Sequence, residues 1–131
     1  MQLEKQVCSL ELAKKLKELG VKQESLFYWY YVKNLKSWEI FSIHEDVLRD
    51  KDDVSAFTVA ELGEMLPKEL KINISIAIMT SHNNTKKWCV YYYTPTSPEG
   101  SKYHYGQLED TEADARAKML IYLIENKLIT L

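Results

Sequence analysis

Histidines are the residues of this sequence best suited to acid–base chemistry. His44, His82 and His104 each fall in a predicted loop or at a predicted strand end. They match no metal-binding spacing such as H-E-x-x-H, and the sequence has no G-x-S-x-G and no phosphate-cradling glycine loop. The sequence therefore indicates no catalytic residue, metal site or cofactor. One enzyme hypothesis stays open, in which His82, His104 and Asp110 meet at one end of a sheet and catalyse hydrolysis by acid–base chemistry.

The two cysteines and a group of aspartates are the other candidates for reactive or metal-binding groups. Cys8 and Cys89 are far apart and form no C-x-x-C pair, so neither zinc nor redox chemistry is indicated. Three aspartates between residues 50 and 53 resemble part of a calcium loop, but the required glycine and terminal glutamate are missing. We therefore predict that His44–Ala56, the most polar stretch, is an exposed loop.

Aromatic residues point to recognition rather than catalysis. The chain has nine tyrosines, and tyrosine is enriched at recognition surfaces because it combines a large contact area with a polar tip. The candidate binding residues are Trp29, Tyr91, Tyr93, Tyr103 and Tyr105. The alternative interpretation is that these tyrosines pack between a sheet and a helix as part of the core. The preferred function is a binding module whose partner is another protein.

A nucleic-acid-binding module is the second alternative. Lys86, Lys87 and Lys102 flank the tyrosines, and aromatic stacking with flanking cations binds single strands. The net charge of −2 disfavours this interpretation, because nucleic-acid-binding proteins usually carry a basic surplus.

A C-terminal helix over Thr111–Asn126 is the clearest element and organises the rest. Thr111 is a good N-cap, with Asp114 as its predicted reciprocal partner. Arg116 and Lys118 are predicted on its solvated side. Its apolar stripe, at helical spacing, consists of Ala113, Ala117, Leu120, Ile124 and Leu128. The stretch Met119–Ile124 is apolar beyond this stripe, which predicts either a buried layer or a homodimer contact.

The remaining elements complete an α+β protein with a mostly antiparallel sheet of four to five strands and packed helices. In order they are a helix from Ser9 to Leu19 stopped by Gly20, strands Leu26–Val32 and Ser37–Ile43 with Asn34 in their turn, a helix Val59–Leu66 capped by Thr58 and Glu61, strands Lys71–Thr80 and Lys87–Thr94, a loop Pro95–Ser101 and a short strand Tyr103–Leu108. The element order is α-β-β-α-β-β-(β)-α. Because Ser37–Ile43 is apolar on both faces, we expect it to be central or covered on both sides.

Length and composition bound the remaining expectations. At 131 residues, a single domain over 1–131 is the natural expectation. The N-terminus lacks the apolar core of a signal peptide, and no apolar run approaches the roughly 20 residues that span a bilayer. We therefore expect a cytoplasmic protein without a membrane partner.

Three segments are distinctive when taken together. They are SLELAKKLKELGVKQESLFYW (Ser9–Trp29), FTVAELGEMLP (Phe57–Pro67) and TEADARAKMLIYLIEN (Thr111–Asn126). They resemble a group of small uncharacterised bacterial proteins that are often associated with phages or prophages. The resemblance implies no activity and no catalytic residues. It implies a non-enzymatic accessory or binding protein of a phage or mobile element.

Overall fold

The predicted helices and strands occur in the order expected for this α+β protein, with two additional short elements, a helix at residues 3–6 and a strand at residues 54–55, that the sequence did not predict. The computed structural model describes residues 2–45, 50–68, 77–82, 87–97 and 100–131. The helices are α1 (Leu3–Gln6), α2 (Leu10–Glu18), α3 (Val59–Met65) and α4 (Glu112–Glu125), and the strands are β1 (Phe27–Val32), β2 (Ser37–Ser42), β3 (Val54–Ser55), β4 (Ala77–His82), β5 (Trp88–Ser97) and β6 (Gly100–Glu109). The α+β class is confirmed. Residues 71–76 of the predicted strand Lys71–Thr80 lie outside the described residues.

The described strands form two antiparallel sheets rather than the single sheet that we predicted. The first has the order β2-β1-β3 and the second the order β4-β5-β6. Among the described strands β2 is therefore an edge strand rather than a central one, and its side chains are half-buried or exposed rather than fully covered on both faces, so the prediction is wrong. The central position belongs to β1, because β3 pairs with its other side through Tyr28–Ser55 and Trp29–Val54.

The polar segment 44–56 is not an exposed loop throughout, which corrects the prediction. Val54 and Ser55 are only 3% and 1% exposed. The ammonium of Lys17 on α2 donates to the carbonyl of Asp53 at 2.9 Å and so holds the segment against the helix. The sequence prediction failed here because a strand of two residues is too short to show an alternating pattern, and its neighbours in the sequence are charged. Residues 46–49 lie outside the described part of the chain.

The second hairpin is longer than the sequence predicts. Strand β5 continues through Pro95 to Ser97, and β6 begins at Gly100, so most of the predicted loop Pro95–Ser101 is strand. The register is irregular between Thr94 and Ser97. Such irregularities let a proline sit in a ladder, because its missing N–H then breaks no regular pair.

Local turn chemistry is confirmed at one end of α2 and corrected in the first hairpin. Gly20 has a φ of 93°, and the amide of Val21 donates back to the carbonyl of Leu16 at 3.0 Å. This is the glycine-dependent helix stop that the sequence predicts. In the hairpin turn, Lys36 rather than Asn34 adopts positive φ, at 52°.

Helix α4 lies at the centre of the core, in contact with α1, α2, α3, β5 and β6. Its buried residues are Ala113, Ala115, Ala117, Met119, Leu120, Ile121 and Leu123. They surround the axis, because residues two apart in a helix differ by about 200°. The surplus apolar surface of Met119–Ile124 is thus largely covered within one chain, with Tyr122 and Ile124 left half-buried.

Candidate functional site

The three residues of the hydrolase hypothesis do not share one end of the second sheet. His82 pairs in register with Trp88, which in turn pairs with Glu109, so Asp110 follows at the same end of the sheet as His82. His104 lies five residues from Glu109 along β6, about 17 Å away at roughly 3.4 Å per residue. The backbone therefore separates His104 from Asp110 by more than the reach of a proton transfer.

The predicted binding aromatics lie on two different sheets. Trp29 belongs to β1, and its indole Nε1 donates to the carbonyl of Cys8 at 3.1 Å while its ring packs against the core. Tyr91 is half-buried on β5. The register opposes Tyr103 to Tyr93 and Tyr105 to Tyr92. The side chains of Tyr93, Tyr103 and Tyr105 lie outside the described part of the structure, as do Lys86 and the side chain of Lys102. Sequence reasoning joined Trp29 to the tyrosines because it expected a single sheet.

The β1–β2 hairpin carries an apolar surface that we did not predict. Among the described residues six large hydrophobic side chains are exposed, and four of them are Leu26, Tyr31, Leu35 and Ile43. These four, with Tyr30, Trp38 and Phe41, are called the hairpin surface below. The aromatic run of Leu26–Val32 was visible in the sequence, but the exposure of its side chains depends on which parts of the sheet faces the rest of the chain leaves uncovered.

Ring contacts order the aromatic residues on both faces of this hairpin. Tyr31 and Trp38 are cross-strand partners with ring centroids 5.6 Å apart, and the ammonium of Lys14 lies 4.7 Å from the centroid of Trp38. On the other face Tyr30 meets Phe41 edge-on at 5.3 Å. Such aromatic contacts hold rings in fixed positions and so reduce the entropy lost when a partner binds.

The tip of the hairpin combines an apolar side chain with positive charge. Leu35 is 66% exposed and stands between Lys33 and Lys36. Neither lysine has an ionic partner among the described residues. The tip therefore offers one apolar contact flanked by two free cations.

A cleft of about 540 Å³ opens at the opposite end of β1. Its lining residues come from α1, from the starts of β1 and β5 and from the starts of α3 and α4; they are Leu3, Lys5, Gln6, Phe27, Thr58, Val59, Ala60, Trp88, Asp110, Thr111 and Glu112. The apolar lining residues, called the floor below, are Leu3, Phe27, Val59, Ala60 and Trp88. The polar and charged lining residues are called the rim. This composition is typical of ligand-binding clefts.

Both carboxylates on the rim of this cleft already have ionic partners. The Asp110 carboxylate lies 3.0 Å from Lys87 Nζ, and the Glu112 carboxylate lies 3.1 Å from Arg116 Nη2. Lys5 is exposed and has no ionic partner within the described ranges. The lining itself carries a formal charge of −1, from Lys5, Asp110 and Glu112, but both of its carboxylates are paired.

The start of α4 differs from the predicted cap. Thr111 Oγ1 accepts from the Asp114 amide at 3.1 Å, as predicted, but the Asp114 carboxylate accepts from the Ser9 amide at 2.7 Å instead of reciprocating. Burial raises the pKa of Asp114 above its usual value. The carboxylate thus ties the start of α2 to the start of α4.

Arg116 is not on the solvated side of α4, which corrects the prediction. It crosses Gly63 of α3 and donates from Nη1 to the carbonyl of Val59 at 3.4 Å. A Cβ at position 63 would collide with this guanidinium, so the glycine makes room for a side chain rather than for another backbone. Lys118 is exposed, as predicted, and pairs with Glu109 at 2.8 Å.

The cysteines should differ in reactivity, with Cys89 modified first. Cys8 is fully buried, and burial raises its pKa to about 12, so roughly one thiol in ten thousand is ionised at pH 8. Burial also raises the pKa of Cys89, but that residue is only half-buried. Mass spectrometry after iodoacetamide treatment at pH 8 should find Cys89 labelled and Cys8 unmodified until denaturant is added. Equal labelling of both thiols in the folded protein would contradict this burial pattern.

Neither metal binding nor membrane insertion has a visible basis in the described residues. They contain no group of three histidines, cysteines or carboxylates that could hold a metal ion. None of their helices is both long and apolar enough to cross a bilayer. No family model, curated protein or solved structure matches this chain. The resemblance to phage-associated bacterial proteins therefore stays a prediction.

Proposed function

We propose that this protein is a non-enzymatic binding module that docks another protein through the hairpin surface. The observation that carries the proposal is the concentration of exposed apolar side chains on one hairpin, four of the six among the described residues. These side chains lie on both faces and at the tip of the hairpin, and exposed apolar groups concentrated in one region of a folded domain are typical of an interaction site.

The residue types on this hairpin favour a protein partner. Tyrosine and tryptophan dominate the binding energy of protein interfaces, and Tyr31 and Trp38 form a fixed pair beside the exposed Leu35. Lys33 and Lys36 give the tip a positive rim, so the complementary partner surface is apolar with acidic flanks.

Side chains, rather than an added strand, make this contact. The outer edge of β2 is unpaired among the described strands, but it carries the exposed carboxylate of Glu39. Charged side chains on edge strands discourage strand addition. The hairpin therefore presents its faces and tip, not its backbone edge, to the partner.

The resemblance of three segments to small phage-associated proteins supports an accessory role in a phage or mobile element. In that role a small protein acts by occupying a surface of a larger one, inside the cytoplasm. In this context the partner would be a protein of the same phage or mobile genetic element, or a protein of its host.

A matched pair of variants tests the proposal. Leu35→Glu and Leu131→Glu change residues that are 66% and 67% exposed, so both should leave the fold intact. Affinity purification from cells that carry the gene should recover a partner with the parent chain and with Leu131→Glu, and at least about tenfold less of it with Leu35→Glu. Binding of that partner should then be reproduced with purified components.

Two outcomes would overturn the proposal. If Leu35→Glu retains every partner that the parent chain recovers, the hairpin surface is not the docking site. If nuclease treatment removes all recovered material, the ligand is nucleic acid and the alternative function holds.

A further inference from the structure

We infer that the cleft between α1 and the starts of α3 and α4 binds a small apolar carboxylate. This site lies at the other end of β1 from the hairpin tip and is independent of the proposed docking function. The cleft volume of about 540 Å³ falls in the usual range for small-molecule sites.

The apolar part of the ligand would rest on the floor of the cleft. It is lined by Phe27 and Trp88 from the two sheets and by Val59 from α3. Trp88 and Val59 also pack against the hydrophobic core, which holds them in place. A preformed apolar floor favours a rigid ring or a short aliphatic body.

Three groups in the lining can donate hydrogen bonds to a ligand. Thr58 and Thr111 use their hydroxyl oxygens to accept from the amides of Glu61 and Asp114, so each hydroxyl proton can point to another acceptor. Lys5 adds an ammonium that has no ionic partner among the described residues. A ligand that supplies acceptors would satisfy these donors.

Lys5 favours a carboxylate over a neutral acceptor. The carboxylates of Asp110 and Glu112 are paired with Lys87 and Arg116 at 3.0 and 3.1 Å, whereas the ammonium of Lys5 can pair with the ligand. The start of α4 also faces the cleft through Thr111 and Glu112, and the N-terminal end of a helix favours negative charge. A ligand with one negative charge and an apolar body would therefore match both the donors of the rim and the apolar floor.

Calorimetric titration with three probes of one shape tests this inference. The probes are 3-phenylpropionate, its amide and phenethylamine, which carry the same ring with negative, zero and positive charge. The parent protein should bind the carboxylate saturably and about tenfold more tightly than the amide, with no measurable binding of the amine. Amide chemical shifts in NMR should move at residues 58–60 and 110–112.

Lys5→Met and Lys127→Met separate a specific contact from general charge. Both lysines are exposed, Lys127 follows the end of α4 far from the cleft, and each change removes one positive charge, so both variants should fold normally. Lys5→Met should weaken carboxylate binding about fivefold to tenfold and leave the amide unchanged, whereas Lys127→Met should alter neither. Equal weakening by the two variants, equal affinity for carboxylate and amide, or no saturable binding at millimolar probe would overturn the inference.

Discussion

Replacing Leu120 with alanine is expected to lower the free energy of unfolding by about 3 kcal/mol. Leu120 is 1% exposed in the central helix α4, which is covered by β5 and β6 and by α2 and α3. The cost combines lost transfer free energy with a residual cavity, because elements packed on several sides of a helix cannot all collapse into the space. Urea denaturation would measure this loss of free energy, provided that the dependence of the unfolding free energy on urea concentration is the same in both proteins.

Leu108→Ala is the matched control for this prediction. It removes the same atoms from a side chain that is 44% exposed, so its cost should stay below about 1 kcal/mol. If the two substitutions cost the same, α4 is not the centre of the core.

Replacing Glu61 with alanine is expected to destabilise the protein by about 2 to 3 kcal/mol. Glu61 Oε1 accepts from the Thr58 amide and from the Ser25 hydroxyl, each at 2.8 Å, and Oε2 accepts from the Leu26 amide at 3.1 Å. Alanine leaves all three donors without their charged acceptor. It therefore removes the capping box and also the link between α3 and the start of the hairpin.

Two other variants separate these roles. Glu64→Ala changes an exposed residue of the same helix and should alter the free energy of unfolding by less than about 0.5 kcal/mol. Glu61→Gln keeps one carbonyl acceptor and should fall between the two alanine variants. A cost for Glu61→Ala no larger than that for Glu64→Ala would contradict the hydrogen-bonding role.

Glu61 also connects the two proposed sites. Its carboxylate accepts hydrogen bonds from the amide of Thr58, which lines the cleft, and from the amide of Leu26, the first residue of the hairpin surface. Loss of this carboxylate should therefore loosen both sites, whereas Leu35→Glu and Lys5→Met each act on only one. The single-site variants remain the cleaner tests of function.

The candidate sites were only partly visible in the sequence. Asp110 and Trp29 were named for other roles, and the structure places Asp110 on the rim of the cleft and Trp29 against the core. The hairpin surface was missed because the exposure of strand side chains depends on which sheet faces are covered by other elements. The cleft was missed because its walls come from residues between positions 3 and 112.

The sequence by itself determined the features that depend on neighbours a few residues away. The α+β class, the stop of α2 at Gly20, the capping box of Thr58 and Glu61 and the position of α4 all follow from such local patterns. Their hydrogen bonds close within a turn or two of the chain, so spacing is enough to predict them.

Only the tertiary structure decided the features that depend on distant contacts. The division into two sheets, the burial of Val54–Ser55 and the bond between Asp114 and Ser9 join segments far apart in sequence, the last pair 105 residues apart. Such pairings depend on the loop closures and packing of the whole chain, which leave no local pattern to read. Both proposed sites belong to this second group. The exposure of the hairpin side chains and the shape of the cleft arise only when the elements pack together.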